Sequence, residues 1–128
     1  MNAHVNPFRA YIDATLERLG GLYTFDDIVE MVKKGDAQSF TYGDSWAVTQ
    51  VHDTPRKRVL NVIFVAGRLK DIFHIENEIM DWSRANKVDL IIGHGRNEWE
   101  GLRRKSSMWG DLGWRQVSSL FMKDVDHA

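Results

Sequence analysis

The 128-residue chain has no cysteine and only 2 prolines. Without cysteine it has no disulfide framework, no zinc ribbon and no thiol nucleophile. It also lacks an excess of either charge, with 17 Lys+Arg against 18 Asp+Glu. That balance argues against a generic nucleic-acid coat held by bulk charge. The longest apolar stretch, around Val59–Ala66, is far shorter than the roughly 20 residues of a membrane-spanning helix. Met1–Phe8 shows neither the basic start nor the apolar core of a secretion signal. What is present fits a globular protein: 43% of residues are hydrophobic and 27% charged. The expectation is one soluble, intracellular domain over residues 1–128, with its core between about 7 and 125, large enough to need no staples.

Hydrophobic spacing orders the elements. Phe8, Tyr11, Ile12, Leu16 and Leu19 recur at helical spacing, with Asn6 as a cap, Pro7 at the first position and Gly20-Gly21 as the stop. A second helix starts at Thr24, buries Phe25, Ile28, Val29 and Val32, and stops at Gly35. The period then falls to two. Ser39–Tyr42 and Ser45–His52 are predicted strands joined at Gly43-Asp44, a hairpin signal. Val59–Val65 is nearly continuous apolar, as a strand covered on both faces would be. Ile72, Ile75, Ile79 and Trp82 mark the main helix, with Asn86 its stop, and Asp89–Gly93 is a short buried strand. Strand, helix and strand make a parallel βαβ unit. A short helix from Asn97 to about Lys105 and a final strand at Trp114–Val125 complete the prediction. The fold class is α/β (α+β): a mixed, mostly antiparallel sheet with one parallel crossover and flanking helices.

This order of elements, over roughly residues 7–125, resembles the GNAT acyltransferase superfamily. Leu112-Gly113-Trp114 resembles that family's late Gly-aromatic pair. More narrowly, the chain is similar to small GNAT-like proteins of tailed phages. The carriers are the Asp53-Thr54-Pro55 turn, the Ala66-Gly67-Arg68-Leu69 joint after the central strand, and Arg96-Asn97-Glu98-Trp99. The resemblance implies acetyl-CoA as cofactor. Its pyrophosphate would lie on backbone amides between central strand and main helix, at a Gln/Arg-x-x-Gly-x-Gly/Ala pattern. A helix start offers free N–H groups, and glycine lets phosphates approach. The corresponding residues are Val65, Ala66, Gly67, Arg68 and Lys70. The pattern is degenerate: one glycine remains, Phe64 stands three residues before it, and Asp71 adds a carboxylate.

Acyl transfer needs a base and usually an acid. His94, between two glycines at the carboxyl end of a predicted parallel strand, is the catalytic candidate. Arg96 and Trp99 at the mouth of the following helix, with Trp109 in a glycine-rich loop, form a candidate binding surface. His52 lies beside Asp53, and His74 sits on the main helix facing solvent. No metal-ligand spacing appears, so no metal is expected. Thr54–Lys70 holds five basic residues and no acid, a candidate anion-facing edge.

Three functions follow. The degenerate loop favours a non-catalytic structural or interaction component, in a virion or the host cytoplasm, with a protein partner or self-association. The alternative is an acyl-CoA-dependent N-acyltransferase. A third is a nucleic-acid-contacting accessory protein using Arg56–Arg58, Arg103–Lys105 and Trp109.

Overall fold

The local signals act where they are written. Thr24 is extended (ψ 168°) and its Oγ1 accepts from the Asp27 N–H, while Asp27 accepts from the Thr24 N–H. This reciprocal capping starts one helix, α2 (Phe25–Lys34), and Gly35, at φ 81°, ends it. The helix before it, α1 (Arg9–Arg18), begins later than predicted. Asn6 Oδ1 accepts from the Phe8 N–H (2.7 Å), so Asn6 holds the turn before the helix and Phe8 is the residue at its start.

The computed structural model describes residues 6–93, 113–115, 117 and 120–126. The chain forms two units, Met1–Gly93 and His94–Ala128. In the first, four strands pair in the order β1 (Gln38–Tyr42), β2 (Ser45–Asp53), β3 (Arg58–Ala66) and β4 (Leu90–Gly93). The first two pairings are antiparallel and the last is parallel across α3 (Leu69–Ala85). Gly43, at φ 59°, makes the two-residue turn between β1 and β2. Asn86 follows α3 and donates from Nδ2 to the Trp82 carbonyl (2.8 Å).

One face of the sheet packs on α1 and α2 through Ile12, Leu16, Phe25, Ile28, Trp46 and Val48. Trp46 stands edge-on to Phe25 and Phe64, and its Nε1 donates to Ser39 Oγ (2.7 Å). The other face packs on α3 through Phe40, Ala47, Leu60, Ile75 and Ile79. Burying each large apolar side chain contributes about 1.5–3 kcal/mol.

The strict alternation expected of β3 is broken once. Val48 pairs with Phe64, but Thr49 pairs with Val62, leaving Ile63 as an extra residue. Ile63 and Phe64 therefore both join the α1/α2 side, while Leu60 and Val65 join the α3 side. β3 pairs with β4 only from Val59 to Val62, up to the bulge.

The main helix starts at Leu69, because Ala66 still belongs to β3 and Gly67 takes φ 152°. Two expectations need correction. The predicted buried strand at 89–93 is shorter and shallower, with Leu90 and Ile92 exposed. In the second unit, the described residues of the predicted strand Trp114–Val125 form none. Val117, Leu120, Phe121, Met122 and Val125 are exposed there. Each face of that segment mixes serine with apolar residues, so no single face demands burial. A strand also needs a ladder partner for its backbone groups.

Candidate functional site

The joint between β3 and α3 is where the GNAT resemblance would place a phosphate. Ala66 ends β3 fully buried, and Val65 packs toward α3. Gly67 bends the chain, and Arg68, extended at φ −83° and ψ 144°, stands at the start of the helix without a side-chain cap. The cap comes from elsewhere in the chain. Ser45, the first residue of β2, is fully buried. Its Oγ accepts the Arg68 N–H (3.2 Å), and its own O–H donates to Asp71 Oδ2 (3.2 Å). Asp71 is 8% exposed.

Gly67 is required by this contact. A Cβ there would fall onto Ser45 Oγ and Cβ, and its φ disfavours any L side chain. The Asp71 carboxylate also lies close over the hairpin, since a Cβ on Gly43 would be 3.7 Å from its Oδ2. Asn6 Nδ2 donates to the Asp44 carbonyl (3.2 Å) and ties the same turn to the chain before α1.

These residues do not fit an acyl-CoA pyrophosphate. The glycine that would admit phosphate admits Ser45. The Arg68 amide, which would face phosphate, is bonded to Ser45. The positive end of α3 already holds a carboxylate. Arg68 and Lys70 are exposed at the same joint and form no ion pair among the described residues.

The acid-free basic stretch is not one surface. β3 is nine residues long, roughly 30 Å, and its two ends carry different cations. At the far end Arg58 donates from Nε to Asp53 Oδ1 (2.9 Å) and from a terminal nitrogen to the Asn86 carbonyl (3.0 Å). The Asp53 hydrogen bond and charge hold the guanidinium above its usual, already high, range. Asp89 Oδ2 accepts the Arg58 N–H (2.8 Å) and the Asp89 N–H returns to the Arg58 carbonyl (2.8 Å). Arg58 thus clamps the β2–β3 hairpin to the end of α3. The Asp53 carboxylate, expected beside His52, is engaged by Arg58.

His74 is exposed, as expected, but it has a partner the sequence does not announce. It stacks on Tyr42 at 4.2 Å and 8°. Glu76, also on α3, is buried. His94, Arg96, Trp99, Trp109 and Arg103–Lys105 lie outside the described residues. Among the described residues, no three His, Asp or Glu side chains gather where a metal could be held. No helix there is long and apolar enough to cross a membrane.

No protein-family model matches the chain, and no curated protein matches it in sequence. Solved structures do. One described as a probable acetyltransferase superposes with a TM-score of 0.62 at 11% identity, covering 100% of this chain and 95% of that one. TTHA1254 from Thermus thermophilus superposes with a TM-score of 0.57 at 15% identity, covering 95% and 96%. A single-residue variant of that protein gives 0.59.

The fold is GNAT-like. At such identities the likeness extends to the fold and no further. Within the GNAT-like frame, the two residues that close the joint were not equally legible. Asp71 stands beside it in sequence. Ser45 is 23 residues away from Arg68, and only the hairpin brings it there.

Proposed function

We propose that this GNAT-fold chain is a non-catalytic structural or interaction component rather than an acyltransferase. One observation carries the reading: Ser45 fills the space left by Gly67 and takes the Arg68 amide, with the Asp71 carboxylate behind it. A joint built this way offers an anion no free amide at Arg68 and already holds a carboxylate at the helix start.

The interaction half of the reading draws on β1. It lies at the edge of the described sheet and contains no charge and no proline. Tyr42 and Ser45 flank a two-residue turn, so they form a hydrogen-bonded pair and the N–H and C=O of Ser39 and Thr41 point outward. An edge without charge, proline or bulge is a template for another strand. The segments similar to phage proteins support a virion-associated or host-acting setting.

The test is a melting experiment with acetyl-CoA. The melting temperature is expected to stay unmoved at millimolar ligand. A rise would overturn the reading, since ligand at 100 times its dissociation constant stabilises by about 2.7 kcal/mol. The second reading, an N-acyltransferase, is favoured by the superposed structure described as a probable acetyltransferase, and the same titration separates the two. The nucleic-acid reading needs Arg56–Arg58 to act together with Arg103–Lys105 and Trp109, which lie outside the described residues.

A further inference from the structure

We infer that Asp71 is the residue that excludes phosphate from the β3–α3 joint, acting as an internal anion held in place by Ser45. The inference rests on the proposed function and identifies which part of the closed joint sets its specificity.

Two features could close the joint, and they differ in kind. Ser45 is neutral; it fills space against Gly67 and bonds the Arg68 amide. Asp71 carries charge. The residue is 8% exposed and its carboxylate accepts from Ser45 O–H, so solvent screens it weakly against any anion arriving at the same place. The rest of the surface favours an anion. Arg68 and Lys70 are exposed and without ion pairs among the described residues, and the helix start is positive. A joint with two uncommitted cations and a helix start would attract phosphate if the carboxylate were neutral. Asp71 places a buried carboxylate in the first turn of that helix instead.

The decisive comparison is the unaltered chain against Asp71→Asn. Asparagine is nearly the same size and can still accept from Ser45 O–H, so the fold is kept while the charge is lost. The probes are inorganic pyrophosphate and acetyl-CoA, followed by calorimetric titration, with a melting curve to verify folding. Asp71→Asn is expected to bind pyrophosphate at least tenfold more tightly than the unaltered chain. Asp71→Ser, also neutral, should gain in the same direction. Asp71→Glu and Ser45→Ala keep a carboxylate and should gain nothing. A folded Asp71→Asn or Asp71→Ser chain that binds no better than the unaltered one overturns the inference; closure is then steric, and the proposed function stands. Gain of equal size in Ser45→Ala overturns it as well. Acetyl-CoA binding by the unaltered chain sinks the functional reading itself.

Discussion

Helices α2 and α3 both carry aspartate at the third residue of the first turn, and they use it differently. In α2, Thr24 and Asp27 exchange bonds three residues apart: Asp27 accepts the Thr24 N–H at 2.8 Å, and Thr24 Oγ1 accepts the Asp27 N–H at 3.2 Å. In α3 the residue before the helix is Arg68, which cannot supply such an oxygen. Ser45 supplies it from β2, and the carboxylate of Asp71 reaches the Arg68 N–H only through that hydroxyl. The first arrangement is local and exposed. The second is tertiary and buried, and it ties the β1–β2 turn to the joint between β3 and α3. The same residue at the same helical position is a cap in one case and a lock in the other.

The largest way to break the lock is steric. Gly67→Ala forces a Cβ into Ser45 at a φ of +152°, combining backbone strain with overpacking, and should cost about 3 kcal/mol. Urea unfolding measures it. A loss under about 1 kcal/mol would mean that Ser45 can move aside, and the closed joint would be soft. Next in size is Ser45→Ala. It strips the acceptor from the Arg68 N–H and the donor from a buried carboxylate, which should cost about 2 kcal/mol. Combined with Asp71→Asn, the two losses should not add, because both report on one chain of bonds.

This contrast also explains what the sequence could reveal. The start of α2 was legible because Thr24, Asp27 and Gly35 act within a few residues of where they stand. The β1–β2 hairpin was legible for the same reason, through Gly43. Gly67 was legible as a special residue but not for its cause. A lone glycine after a strand has the same appearance whether it admits a phosphate or a serine from another strand. The bulge at Ile63 was hidden because Val62-Ile63-Phe64-Val65 is apolar throughout, so a shift of faces leaves no trace in the pattern. The basic stretch misled because a strand separates in space what lies close in sequence. Arg58 belongs to the hairpin clamp, and Arg68 to the joint.

The local cap should be worth less than the lock. Thr24→Ala removes the hydroxyl that accepts the Asp27 N–H in an exposed first turn, and should cost about 1 kcal/mol. The ratio of this loss to that of Ser45→Ala tests whether tertiary capping is the stronger device. Equal losses would argue that burial adds nothing at Ser45.

The smallest effect separates the two aspartates by pH. Asp27 is held below its ordinary value of 3.8, first by the backbone N–H of Thr24 and then by its hydroxyl. A carboxyl group depressed in the folded state binds its proton more weakly there than in the unfolded chain. Its contribution is therefore complete above the unfolded value and fades as the pH falls through the folded one. The difference in stability between the unaltered chain and Asp27→Asn should be constant near neutrality and shrink below about pH 4. The carboxylate is fully exposed, so the change is small and needs denaturant curves at closely spaced pH. A difference that persists unchanged to the acid end would mean that Asp27 acts through its shape alone. The capping at α2 would then owe nothing to charge, whereas the exclusion proposed for Asp71 at α3 depends on it.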